Sequence, residues 1–227
     1  DLLVVFTPSA AQRSRNQKAD AQLAVSLANK ALRKSRTQAK FRLAGVNVVK
    51  GYSDRRRSMS GVLEDATDGR GAFAAVHKLR DRVKADLVAV ITTNDDACGL
   101  GWLLERPTAR DETFGYSVTA VDCIAHNTVA HEAGHNLGLR HDRFVEDAPG
   151  SSAHNFGHVD LKKRFVTIMA YQDQCVARGL DCATLDAFST PLVKQRGAPI
   201  GIAAGRPGAA DNARALRENV ATVAAFR

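Results

Sequence analysis

The segment His131-Glu132-Ala133-Gly134-His135-Asn136-Leu137-Gly138-Leu139-Arg140-His141-Asp142 gathers three imidazoles and a carboxylate on a short stretch of chain. On a helix, His131 and His135 project from one face, one turn apart, and can share a metal ion. Gly138 can take positive φ, ending the helix and turning the chain, so that His141 returns as a third nitrogen ligand. Three imidazoles at ~2.0–2.1 Å leave one tetrahedral position for water, which is the open arrangement of a catalytic zinc site. Glu132 stands beside the first ligand and cannot easily coordinate the same ion, but it can reach that water. Zinc lowers the water's pKa toward ~7, Glu132 accepts its proton, and the hydroxide attacks a polarised carbonyl. The same carboxyl can then protonate the leaving amine.

These side chains need a scaffold, and the sequence outlines an α/β one. Leu2–Phe6 reads as a buried strand; Thr7-Pro8 then offers an N-cap and a proline at the first helical position. The expected helix runs to about Lys34, with Leu23, Leu27 and Ala31 on one face. A strand from Phe41 to Val49 follows. Gly51–Gly71 is polar and glycine-punctuated, with one short helical turn expected around Val62-Leu63-Glu64. Phe73, Val76, Leu79 and Val83 mark another amphipathic helix, followed by the strand Asp86–Thr92. The glycine-rich Cys98–Leu103 reads as an edge strand, Tyr116–Ile124 as a further strand, and a helix should begin near His126. Beyond His141 the composition loosens, with loops at 150–152 and 191–208. A last helix from about Asp211 carries Ala213, Leu216, Val220 and Val223 as its apolar stripe.

The 227 residues, 44% of them hydrophobic, suit one large domain or two small lobes on a shared core, and exclude global disorder. No apolar run approaches the ~18 residues of a membrane span. The net charge of +8 raises the question of nucleic acid. Its basic residues are scattered over helices, however, and Arg55-Arg56-Arg57 is the one tight run, with no interleaved aromatics. Solvated helix faces explain the charge better. Cys98, Cys123, Cys175 and Cys182 form no Cys-x-x-Cys pair and lean toward two disulfides, hence a location outside the cytosol. Three pairings exist; Cys98–Cys123 and Cys175–Cys182 are the expected ones, four buried free thiols being the alternative. The abrupt start on a strand fits a mature chain trimmed of upstream segments. His154 and His158 share a four-residue spacing, but Phe156-Gly157 between them suggests surface histidines on a loop. Asp95-Asp96 could attract calcium, yet the spacing does not indicate a calcium loop.

The histidine pattern resembles that of the metzincin clan of zinc endopeptidases, His-Glu-x-x-His-x-x-Gly-x-x-His. Thr167-Ile168-Met169-Ala170-Tyr171 is similar to the clan's methionine turn, which makes Met169 the packing residue beneath the metal. Asp142 resembles the reprolysin branch, whereas Tyr171 resembles the astacin and serralysin branches, in which such a tyrosine ligates zinc or steadies the oxyanion. Leu2–Pro8, the Cys98-Gly99-x-x-Trp102-Leu103 region and Asp211–Arg214 look most like bacterial reprolysin-like enzymes of the peptidyl-Asp metalloendopeptidase kind. The resemblance implies a single catalytic domain over 1–227. Its upper part, to about residue 141, would hold a twisted mixed five-stranded sheet with helices; its lower part, about 142–227, would be irregular and end in a helix. It implies one zinc ion, a peptide or protein substrate stretched along Gly99, Leu100, Gly101 and Trp102 by strand addition, and an inhibitory propeptide; with the cysteines it points to a secreted chain, for which a monomer is the favoured state. The wall of the pocket after the scissile bond would come from Gln172–Ala183. Arg178 pointing inward would select an acidic residue there and Asp173 a basic one, whereas Arg178, Asp173 and Asp181 all pointing outward would leave an apolar pocket. A non-catalytic zinc domain that merely holds peptides is the alternative; Glu132 separates the two.

Overall fold

A computed structural model describes all residues, 1–227. Its first half alternates strand and helix: β1 (Leu2–Phe6), α1 (Pro8–Ser14), α2 (Gln17–Lys34), β2 (Leu43–Val48), α3 (Met59–Thr67), α4 (Ala74–Val83), β3 (Leu87–Thr92), β4 (Gly99–Gly101), β5 (Tyr116–Ala120) and α5 (Thr128–Asn136). The five strands form one mixed sheet in the order β2-β1-β3-β5-β4; β4 alone runs antiparallel, against β5. β1 is buried on both faces, as a parallel sheet covered by helices requires. Leu2, Val4 and Phe6 enter the larger core with α2 and α5, while the alternate Leu3 and Val5 enter a second core with α3 and α4.

The second half is built of short pieces: β6 (Val159–Asp160), β7 (Phe165–Val166), α6 (Asp173–Val176), β8 (Ala183–Thr184), and the hairpin β9 (Lys194–Gln195) with β10 (Ala198–Pro199). It closes with α7 (Asn212–Val223), N-capped by Asp211. Leu216, Val223 and Phe226 join the same core as β1, α2 and α5, so the last helix packs back onto the first half of the chain. Both expected disulfides are present, Cys98–Cys123 and Cys175–Cys182, and no cysteine is free.

Several boundaries differ from expectation for local reasons. The helix expected from Pro8 to Lys34 breaks at Arg15, which has φ 58°, and restarts where the Asn16 side chain accepts the Ala19 N–H. The buried face of α2 is Ala21, Ala24, Ala28, Ala31 and Leu32, whereas Leu23 is exposed; small residues let the helix lie close on the sheet. The short turn expected near Val62 is the nine-residue α3, capped by Ser58, whose hydroxyl accepts the Gly61 N–H. Asp96 also accepts the Met59 N–H, which gives that acidic residue a structural task. The strand from Tyr116 stops at Ala120 and gives way to a 3-10 helix over Val121–His126. His158 is partly buried against Phe165 rather than a surface residue, and it forms no metal cluster with His154.

Candidate metal centre

α5 brings His131, Glu132 and His135 to the edge of the sheet. It is buried along its whole length, held to β4 and β5 by Asn136, whose side-chain amide donates to the carbonyls of Trp102 (2.9 Å) and Tyr116 (3.2 Å). Its end is sharp. Gly138 has φ +88°, and a Cβ there would meet the carbonyl oxygens of Leu104 and Glu105 at 3.0 Å. Asn219 of α7 donates to the Leu137 carbonyl at 2.9 Å, satisfying one of the carbonyls that a helix end leaves free. The chain then swings back and places His141 beside the other two imidazoles.

The three rings converge through their Nε2 atoms. His141 Nε2 lies 3.0 Å from His135 Nε2 and 3.2 Å from His131 Nε2. Each Nδ1 faces an acceptor: the Ile168 carbonyl for His131 at 2.8 Å, the Leu139 carbonyl for His135 at 2.7 Å, and Glu146 for His141 at 3.2 Å. With Nδ1 donating in every case, all three Nε2 atoms carry lone pairs. Lone pairs aimed at one another across ~3 Å repel unless a cation lies among them. Tetrahedral ligation at ~2.0–2.1 Å would separate the nitrogens by roughly 3.3 Å, close to the spacing present. Burial pushes the His131 imidazole down to about 4, and burial with the neighbouring histidines pushes His135 down to about 3. His141 is lowered as well, burial outweighing the opposing pull of Glu146 and Asp142. Neutral rings with converging lone pairs suit a divalent cation, and these three residues fit it.

Glu132 is 5% exposed, and burial alone pushes its carboxyl up to about 8. A cation at the triad opposes that shift. The carboxylate occupies space left by β4: a Cβ on Gly99 would stand 2.6 Å from Glu132 Cγ and 2.7 Å from Cδ. A Cβ on Gly101 would stand 2.7 Å from the Glu132 carbonyl oxygen. The Cβ positions of both glycines point into α5, so the two residues make room for the glutamate and its helix. Leu100, between them, is exposed. Trp102 turns inward, its indole N–H donating to Thr67 Oγ1 at 2.8 Å.

The methionine turn closes the site from below. Met169 is fully buried, and a Cβ on Gly134 would meet its Sδ at 2.9 Å, which explains a glycine at that point of the motif. Tyr171 lays its ring near His141 (4.6 Å between centroids) and His131 (5.9 Å), and burial followed by the Glu132 charge raises its phenol pKa. Asp142 fastens the two segments together. Its Oδ1 accepts the Phe144 and Val145 N–H groups, and its Oδ2 accepts the Tyr171 N–H at 2.9 Å.

Arg178 lies apart. It is exposed, its guanidinium donates to the Gln174 carbonyl at 3.3 Å, and it does not line the cavity in front of Glu132. Asp173 and Asp181 are exposed too, so none of the three charges expected to set specificity points into that cavity. Glu146, Asn136 and Asn219, which orient the site, escape sequence reasoning because their partners lie across the fold. A signal for Glu146 was present in the five-residue step from His141, but loops carry no periodicity that would give it meaning.

Residues 18–142, more than half of the chain, match the family described as Metallo-peptidase family M12B Reprolysin-like. The chain is 30% identical over 233 residues to a peptidyl-Asp metalloendopeptidase of Stenotrophomonas maltophilia (strain R551-3), covering 100% of this chain and 52% of that protein. It is 28% identical over 197 residues to a protein of the same name from Pseudomonas aeruginosa, covering 75% of this chain and 31% of that one. The chain thus spans about half the length, or less, of these curated relatives. A solved structure described as a chaperone-substrate complex covers 100% of this chain and 38% of its own, at a TM-score of 0.74 and 19% identity, a likeness of fold. The family match and the histidine centre lead to one assignment: the chain belongs to the reprolysin-like M12B metallopeptidases.

Proposed function

We propose that the chain is a zinc-dependent endopeptidase, acting outside the cell as a single catalytic domain. Its upper part would run to about residue 141 and its lower part from about 142 to 227, with the substrate between them. The observation that carries this reading is the convergence of three imidazole lone pairs beside a buried carboxylate on the next residue. When bound by His131, His135 and His141, zinc supplies a Lewis acid for the scissile carbonyl and lowers the pKa of a water to ≈ 7. Glu132 takes the proton from the attacking water and passes it to the departing amine, and its burial tunes it for that exchange. The Tyr171 hydroxyl, on the rim beside His131 and His141, steadies the charge that grows on the carbonyl oxygen. Asp142 keeps that tyrosine in register with the third histidine.

β4 pairs with β5 along one edge; its other edge is free to take an extended peptide by backbone hydrogen bonds. Two disulfides agree with an oxidising compartment, and no helix is long and apolar enough to cross a membrane. The curated relatives are named for aspartyl bonds, and a preference for an acidic residue after the scissile bond is part of this reading. A casein digest with and without chelator, zinc add-back and mapping of the cut sites tests it. Digestion indifferent to chelator contradicts the proposal.

A further inference from the structure

His131 and His135 stand on a buried helix, and the acceptors behind their rings are backbone carbonyls that the fold itself holds in place. His141 differs on both counts. It lies beyond the helix on a segment without regular structure, its side chain is 23% exposed, and the acceptor behind its ring is the side chain of Glu146. One turn of chain brings that carboxylate back over the ring. The Glu146 N–H donates to the Asp142 carbonyl at 3.1 Å, and Asp142 Oδ1 accepts the Phe144 and Val145 N–H groups between them. Glu146 Oε1 faces His141 twice, 3.2 Å from Nδ1 and 3.3 Å from the backbone nitrogen.

The second carboxylate oxygen is anchored separately. Oε2 accepts from Arg140 Nη1 at 2.8 Å, and Arg140 Nη2 pairs with Glu105 in the segment that follows β4. With the Glu146 side chain 18% exposed, the contact with His141 is largely shielded from water. A carboxylate behind a metal-binding imidazole fixes the ring and raises the basicity of its inner nitrogen. It also adds a negative charge near the cation, beyond the one Glu132 supplies.

Resting on the reading of the triad as a zinc centre, we infer that Glu146 is the positioning residue of the third ligand. It turns His141 Nε2 inward and places charge behind it, so the affinity for zinc depends on it. The test is the dissociation constant of zinc for the native chain and three variants, measured by competition with a chromophoric chelator at one pH. Melting temperatures of the metal-free proteins report folding. Glu146→Ala should weaken zinc binding about 10- to 100-fold. Glu146→Gln, which can still accept from the ring but lacks the charge, should fall between Glu146→Ala and the native chain. Glu105→Ala loosens the same clamp from its far end without touching the ring, and should hold zinc within about threefold of the native value, the scale of an exposed ion pair. Cobalt(II) in place of zinc should give a shifted visible spectrum in both Glu146 variants and the native spectrum in Glu105→Ala. Zinc held as tightly by Glu146→Ala as by the native chain overturns the assignment. So does a loss in Glu105→Ala equal to that in Glu146→Ala, which would reduce Glu146 to a fastening of the loop. If Glu146→Ala does not fold, Glu146→Gln decides, and an unchanged affinity there overturns the inference. A native chain that takes up no zinc removes the endopeptidase reading and this inference together.

Discussion

Gly99→Ala is the substitution that separates catalysis from folding most cleanly. The added Cβ would stand 2.6 Å from Glu132 Cγ and 2.7 Å from Cδ. Ordinary carbon–carbon contact needs ≈ 3.5–4.0 Å, so the side chain must retreat by roughly 1 Å. Cys98, the preceding residue, is tied to Cys123, and β4 is paired with β5 at Gly99↔Thr119, so the strand has little freedom to yield instead. A carboxylate side chain can move without unfolding the protein, but a 1 Å displacement of a positioned group can cost about 10²-fold in rate. The expected result is therefore a kcat lowered about 10²-fold with the histidine centre and its metal content intact. Turnover of a fluorogenic peptide, zinc content by atomic absorption and a thermal melt give the three readings. A kcat close to that of the native chain would refute the placement of Glu132 against Gly99. A fall confined to KM would show instead that the glycine serves substrate approach. Gly101→Ala offers the contrast: its Cβ would press on the Glu132 backbone carbonyl, so the helix itself must shift and the melting temperature should drop.

Glu132→Gln should retain zinc and lose about 10²–10⁴-fold in kcat, as removal of a general base does; retained proteolysis with bound zinc would reject its role. Tyr171→Phe should lower kcat by about 10²-fold with little change in KM if its hydroxyl acts on the transition state, and an unchanged kcat would reduce it to packing. Asp54, 2% exposed, sits where burial pushes its carboxyl up but hydrogen bonds from Ser9, Thr7, the Thr93 N–H and Thr92 outweigh it, bringing it to about 2 from 3.8. That depression stabilises the fold above about pH 4 and is lost as pH falls through 2, so Asp54→Asn should cost about 1–2 kcal/mol near neutrality and much less in strong acid. Urea melts at the two pH values check it; an equal cost at both would contradict the assignment. Removing zinc with a chelator should lower the melting temperature, by the equivalent of about 4 kcal/mol if the ion had been present at a thousandfold over its Kd, and calorimetry showing no shift would argue against a filled site.

The strands and the histidine helix were legible because their signals are local. Leu2–Phe6 and Leu87–Thr92 are continuous apolar runs, and the four- and six-residue steps between His131, His135 and His141 have meaning only on a helix followed by a turn. The break at Arg15–Asn16 was hidden because no glycine or proline marks it; an arginine takes positive φ there and asparagine supplies the new cap. α3 was underestimated because its stabilising partners, Ser58 and the remote Asp96, are caps rather than apolar residues. In the site itself, what escaped the sequence is contact across the fold. That Gly99 faces Glu132, that Ile168 accepts from His131, and that Asp142 holds Tyr171 all depend on segments brought together by packing. Arg178 looked suitable because charge and sequence position are visible while orientation is not; on an exposed turn its guanidinium finds the Gln174 carbonyl instead of the cavity.

X-ray absorption at the zinc edge on protein reconstituted with one equivalent of metal bears most directly on the triad. Three imidazole nitrogens and one oxygen at about 2.0–2.1 Å are the expected first coordination sphere. A sulfur at about 2.3 Å, fewer than three imidazoles, or metal lost in the first wash would mean that His131, His135 and His141 do not form the centre on which the rest is built.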